Sequence, residues 1–275
     1  MPLPNQCFQN LSSMAQKLLI IDTDCGIDDA LAIIVALAAP GVKVLGITCC
    51  FGNTDVDNVC QNVMRVLTVC QQTQVSLIAL GPLTNLALAV RLDPTLPQKL
   101  KDLYIMGGNM EGKGNLTPSA EFNFSMDAES AYVVLEEYTC STHIATWEFT
   151  CRNKLSWEYF DELVNQDTSA ARFMKKITSK CWAYSREPRI INKDLLFGCG
   201  FVPYDAFAVA ACLDSSVITE TLQCAVRVEV HGQLGRGMMV VDPANTLKKD
   251  HCVFVMRTCD LKKFSLMLNA ALQIA

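Results

Sequence analysis

The feature that most constrains this chain is a rhythm. From Lys17 onward, short apolar runs alternate with longer segments whose apolar residues recur at helical spacing. The stretches "KLLIID", "VKVLGITCC", "VSLIALG" and "LKDLYIMGG" read as strands. Between them, "DDALAIIVALAAP", "DVDNVCQNVMRVLTVC" and "PLTNLALAVRLDP" read as helices, the second with Val56, Val59, Val63, Val66 and Leu67 on one face. Strands of continuous apolar character separated by helices specify an α/β fold, a mainly parallel central sheet flanked by helices, and such sheets bind ligands at the carboxyl ends of their strands. The C-terminal half is more helical, with strand-like "LQCAVRVEV" and "HCVFVMRT" near its end. No repeat, low-complexity tract or linker divides the chain, so residues 17–275 are expected to form a single domain behind a disordered tail, 1–16.

Composition narrows the class. The chain has 275 residues, 51% hydrophobic and 19% charged, enough for one ample core. A net charge of -5 and the absence of a dense basic cluster argue against nucleic acid as a partner. The longest apolar run, "ALAIIVALAAPGV", is broken by Pro40 and Gly41 and is too short to span a bilayer. The 14 cysteines are scattered through apolar segments without a C-x-x-C pair, which reads as reduced core thiols and, with no secretory signal in the opening residues, a cytoplasmic location. His143, His231 and His251 lie too far apart in sequence for a zinc motif.

The stretch "IDTDCGIDDA" departs from the rhythm. It places Asp22, Asp24, Asp28 and Asp29 at a predicted strand-to-helix junction, where strand geometry sends Asp22 and Asp24 to one face. One aspartate there is an ordinary helix cap, a sufficient account of Asp28, and the helix N-terminus favours some negative charge. Four are not explained that way. Carboxylates packed this closely must raise their pKa values, stay in water or share a cation, and an all-oxygen cluster suits a hard ion such as Ca²⁺ or Mg²⁺. An EF-hand loop starting at Asp22 fails, with Gly26 fifth and Ile33 twelfth, and no phosphate-binding P-loop occurs. A D-x-D-x-[TV] phosphatase pattern is partly met by "DTDCG", which offers both aspartates but Gly26 in the last place.

Other polar residues fall at the same predicted strand ends: Asn53 in "CCFGN", Asn115, Glu121 and Asn123 in "IMGGNMEGKGNLTPSAEFN", and Asp205 in "FVPYDAFAVAA". Each has a plain reading of its own. Asn53 and Asn115 follow glycine as turn residues do, Glu121 fits a solvated loop charge, and Asp205 fits an N-cap.

Together, "DTDCGIDDALAI", "GITCCFGN", "LIALGPLTNLALAVRLDP", "IMGGN", "AEFN" and "VPYDAFAVA" resemble the nucleoside hydrolase family, the inosine-uridine preferring, calcium-dependent N-ribohydrolases, from Lys17 to the C-terminus. The resemblance implies hydrolysis of the N-glycosidic bond of ribonucleosides to ribose and free base. It implies Ca²⁺ held by Asp24, Asp29, Asp205 and the backbone carbonyl of Leu80, with Asp24 accepting the proton of the attacking water. Asp28, Asn53 and Asn123 would face the ribose hydroxyls and that water, Asn115 and Glu121 the 5′-hydroxyl end, and Met106 would line the sugar pocket. Asp22 would support the others. A nucleoside substrate and a homo-oligomer, dimer or tetramer, are the expected partners.

The chain departs from the family pattern at three places. Cys25 stands where proline is usual, and Tyr204 where many members have a histidine acid for the leaving base. A strand-loop-helix unit that members carry is lacking between Gln74 and Val75. Two alternatives follow: a catalytically impaired shortened relative that binds Ca²⁺ or ribosides, and a Mg²⁺-dependent haloacid-dehalogenase-like phosphatase using Asp22 as nucleophile.

Overall fold

In the computed structural model the described residues are 17–38, 42–49, 52–69, 75–186 and 197–273. The expectation for residues 1–16, and Gln74 at the expected gap, lie outside them. The chain forms two compact units, 1–75 and 76–275, where the sequence suggested one domain.

The first unit alternates strand and helix as the rhythm predicts: β1 (Lys17–Thr23), α1 (Ile27–Ala38), β2 (Val42–Cys49) and α2 (Val56–Val69). β1 and β2 pair in parallel, with Asp22 opposite Thr48 and Thr23 opposite Cys49. Its core holds Cys25, Ile33, Val59, Val63 and Val66, with Leu67 packed against them. The predicted face of α2 is therefore the buried one, except at Val56, which opens the helix and stays exposed.

The second unit begins within β3 (Val75–Ala79), at Ser76, and continues through α3 (Thr84–Leu92), α4 (Leu96–Lys99), β4 (Leu100–Met106), α5 (Phe122–Met126), α6 (Ala128–Glu137) and β5 (Ser141–Ala145). Then come α7 (Trp147–Arg152), α8 (Trp157–Val164), α9 (Ser169–Arg186), α10 (Tyr204–Leu213), β6 (Ile218–Val228), β7 (Met239–Asp242), β8 (Val253–Cys259) and α11 (Leu261–Leu272). Six strands form one sheet in the order β3-β4-β5-β8-β6-β7. β4, β5 and β8 are parallel, whereas β6 runs antiparallel to both β8 and β7. The sheet thus keeps the expected parallel arrangement through β4, β5 and β8 and becomes mixed where β6 runs against its two neighbours. No helix separates β6, β7 and β8 among the described residues, and strands joined without a helical crossover are free to pair antiparallel.

Alternation along the strands divides the core. Leu103 and Ile105 of β4 point to one face, with α3 and α6 supplying Ala87, Val90, Ala131, Val134 and Leu135. Tyr104 and Met106 point to the other face, with Phe160, Phe207, Ala211 and Phe264 from α8, α10 and α11. This two-sided cover is the α/β arrangement expected, and it leaves the strand ends and following loops to carry polar residues.

Candidate active site

In the first unit, the aspartate stretch is held by its own hydrogen bonds. β1 stops at Thr23, so the strand alternation does not carry Asp24 onto the face of Asp22. Cys25 turns the chain with a positive φ of 26°, costly for a side chain of its kind. The Cys25 N–H donates to the Thr23 hydroxyl at 3.0 Å, and Asn62 Nδ2 donates to the Cys25 carbonyl at 3.1 Å, so both sides hold the turn in place.

Asn53 ties the two expected metal-binding carboxylates together. Its backbone N–H donates to Asp24 Oδ2 at 2.7 Å, and its amide Nδ2 reaches Asp29 Oδ2 at 3.4 Å. Asp29 also accepts from the Thr23 hydroxyl at 2.9 Å and from the Gly26 N–H at 3.0 Å. These bonds, the Thr23 hydroxyl first, hold the Asp29 carboxyl below its ordinary range and keep it ionised. Two glycines allow the close approach: a Cβ at Gly52 would press on the Asp24 side chain, and one at Gly26 would press on the Asn53 amide and lie 3.2 Å from Asp28 Oδ1. Asp28 thus belongs to the same turn, exposed, inside the first turn of α1. Asp22 is exposed at the end of β1.

In the second unit, Asn123 joins the ends of two strands. Its Nδ2 donates to the Met106 carbonyl at 3.0 Å and lies 3.5 Å from the Leu80 carbonyl, which immediately follows β3. Met106 itself is 4% exposed at the end of β4. Glu121 is buried, not solvated. It caps α5, Oε1 accepting from the Asn123 N–H at 2.8 Å and Oε2 from the Gly108 and Phe124 N–H groups at 2.9 and 3.1 Å. Burial pushes its carboxyl above the ordinary range against the pull of those donors, and nearby Asp205 adds to the rise. Asn115 Oδ1 accepts from the Phe122 N–H at 2.8 Å, so it fixes the loop leading into α5.

Asp205 lies in the first turn of α10, with Pro203 rather than Asp205 at the N-cap, and partial shielding pushes its carboxyl up. Tyr204 packs between the sheet-facing core and a small cluster of Trp147, Cys151 and Val202. The structure therefore links Leu80, Met106, Glu121 and Asn123 directly, sets Asp205 within electrostatic reach of Glu121, and in the first unit links Asp24, Asp29 and Asn53. Among the described residues, no group of three or more His, Cys, Asp or Glu side chains stands in metal-holding geometry.

One buried carboxylate escaped the sequence reading. Glu148 is fully buried in α7 and accepts from the Met110 and Glu111 N–H groups at 2.9 and 3.0 Å. Its only trace in the sequence is a lone acid within the apolar run "HIATWEF".

Comparison with known proteins completes the picture. A family model described as inosine-uridine preferring nucleoside hydrolase matches residues 19–75 and 68–265. The inosine-uridine preferring nucleoside hydrolase of Crithidia fasciculata is 27% identical over 316 residues, covering 92% of this chain and 97% of that protein. The probable uridine nucleosidase 2 of Arabidopsis thaliana is 26% identical over 296 residues, covering 85% and 88%. Among solved structures, an inosine-guanosine nucleoside hydrolase aligns with a TM-score of 0.65 at 26% identity, covering 95% of this chain and 100% of that one. A plant nucleoside hydrolase at 24% identity shares the fold with a TM-score of 0.64, covering 94% and 100%. An alignment of 316 positions is longer than this chain of 275, so the relative contains residues that this chain lacks. The two family matches meet at residues 68–75, where the sequence places the missing unit.

Proposed function

Because the chain belongs to the inosine-uridine preferring nucleoside hydrolase family, we propose that it hydrolyses the N-glycosidic bond of ribonucleosides to ribose and free base with a Ca²⁺ cofactor. The observation that carries this reading is the Asn53 clamp, which holds Asp24 and Asp29 as an oxygen-rich pair at a strand end. Their chemistry fits a hard cation: acceptor-only oxygens, one carboxyl kept ionised by donated hydrogen bonds. Asp24, Asp29, Asp205 and the Leu80 carbonyl are the protein ligands that the family resemblance proposes.

When bound, Ca²⁺ would lower the pKa of a coordinated water and offset the charge gathered around it. The residues supply the rest. Asn53 N–H donates to Asp24 Oδ2 and orients the carboxylate that is proposed to accept the proton of the attacking water. Bond cleavage builds positive charge on the ribose, and ionised carboxylates beside it stabilise that charge more than they stabilise the substrate. Attack by water in a single displacement inverts the anomeric carbon. Tyr204 offers its hydroxyl to the departing base as a hydrogen-bond donor, a weaker acid than histidine. Asp28, Asn115, Glu121, Asn123 and Met106 would bind the sugar. A cytoplasmic enzyme acting as a homo-oligomer is consistent with this reading.

A second reading, a shortened relative that binds ribosides or Ca²⁺ with impaired turnover, is favoured by one observation. Among the described residues of the first unit the parallel sheet has two strands, small for a fold whose parallel sheets are buried on both faces, and α1 exposes Leu31 and Val35. A free-ribose assay on the purified chain with inosine and uridine, with Ca²⁺ and after chelation, decides between them. Ribose release that requires both Ca²⁺ and Asp24, and is lost in Asp24→Asn, is the expected result; a folded sample that binds inosine without releasing ribose would select the second reading.

A further inference from the structure

Glu148 has no part in the reaction described above, yet its position demands a reason. A carboxylate buried in an apolar surround is costly unless hydrogen-bonded. Three donors come from one loop: Met110 N–H to Oε2 at 2.9 Å, and Glu111 and Lys113 N–H to Oε1 at 3.0 and 3.4 Å. Burial pushes the carboxyl up while these three donors pull it down. On either side of Glu148, α7 grips the same loop again. The Trp147 N–H donates to the Gly108 carbonyl at 3.1 Å, and the Arg152 guanidinium pairs with the Glu111 carboxylate at 2.6 Å. The loop held in these ways runs directly into Asn115, Glu121 and Asn123.

The same helix also holds the segment that leads into α10. Trp147 and Cys151 form a small core with Val202, and Phe197 and Tyr204 pack against it. Trp147 and Phe197 meet edge to face, with ring centroids 5.2 Å apart. A six-residue helix therefore touches two limbs of the second unit, the loop leading to Asn115, Glu121 and Asn123 and the segment leading to Tyr204 and Asp205.

We propose that Glu148 is a positioning residue for ribonucleoside hydrolysis: by anchoring the 110–113 backbone to α7, it holds the sugar-binding loop in fixed relation to Tyr204 and Asp205. The inference rests on the function proposed above. A carboxylate suits the task better than an amide, because its two oxygens accept all three donors. A glutamine has one acceptor oxygen and would turn an NH₂ toward an N–H.

The test compares wild type, Glu148→Gln and Glu148→Ala, all checked for folding by circular dichroism. The readouts are kcat and KM for inosine and uridine and the hydrogen exchange of the 110–113 amides. Misplaced binding groups cost up to roughly 100-fold, so kcat/KM is expected to fall roughly 10- to 100-fold in Glu148→Ala, with Glu148→Gln between it and wild type and the 110–113 amides exchanging faster in both. Unchanged kcat and KM in folded variants would overturn the proposal, as would a loss that only tracks the folded fraction. Should Glu148→Ala not fold, Glu148→Gln alone decides by the same readouts. If wild type releases no ribose, the hydrolase reading fails separately and inosine affinity by calorimetry carries the comparison: weaker binding in Glu148→Gln supports the positioning role, while equal affinity, or no binding by wild type, overturns it.

Discussion

Replacing Glu121 with glutamine removes one oxygen from a buried carboxylate that accepts three backbone N–H bonds, from Gly108, Asn123 and Phe124. The best arrangement puts the glutamine oxygen where Oε2 stood, which keeps the Gly108 and Phe124 donors and turns an NH₂ toward the Asn123 N–H. One buried donor then lacks an acceptor, at a cost of about 1–3 kcal/mol. Relief from burying a charge offsets part of this, leaving an expected deficit of about 1–2 kcal/mol, or roughly 2–6 °C in Tm for a chain of this size. The deficit depends on pH in a defined sense. Burial raises the Glu121 carboxyl above its ordinary value, so the folded chain binds this proton more tightly than the unfolded chain. Stability from Glu121 is therefore full below the ordinary glutamate value and is lost as pH rises through the raised one. Glutamine does not titrate, so Glu121→Gln trails wild type most in acid, and the gap narrows toward neutrality. Urea unfolding of both proteins across that range measures the gap directly. A deficit that widens as pH rises would refute the reasoning, since it would mean that the fold favours the ionised carboxylate.

Two further predictions rest on other residues. Asn53→Ala removes the amide that reaches Asp29 and leaves the backbone N–H bond to Asp24 in place; kcat/KM for inosine should fall by about 10-fold, the low end of the usual penalty for losing a residue that orients a metal ligand, while Tm stays nearly constant because Asn53 is exposed. Asp214, paired with Lys263 at 2.8 Å and bonded to Ser216, has its carboxyl lowered to about 2, so its contribution is present above the ordinary aspartate value and lost as pH falls through about 2. Acid unfolding should accordingly show wild type ahead of Asp214→Asn near neutrality, with the two curves converging in strong acid.

Much of this protein was legible along the chain because the relevant signals are local. Apolar spacing marks β1, α1, β2, α2, β3, α3 and β4 without reference to anything distant, and four like charges beside a helix start mark a site wherever they fold. The short elements α5, α7 and β7 left weaker marks, since five-, six- and four-residue segments carry at most about two periods. Glu121 illustrates the boundary. Its letter, in "AEFN", placed it at a strand end, but whether it is a solvated charge or a buried cap depends on Gly108, which meets it only in three dimensions.

What the sequence by itself determined is the α/β plan, the family and the residue types at the strand ends, because periodicity, charge density and motif order are properties of neighbours. Tertiary structure alone decided that β6 runs antiparallel to both its neighbours in the larger sheet and that β1 and β2 pair in a separate sheet. It also decided that Asn53 spans 29 residues to hold Asp24, and that Glu148 spans 38 to hold Met110. Those pairings form between backbone N–H groups and carboxylates brought together by packing, and a backbone donor has no letter of its own.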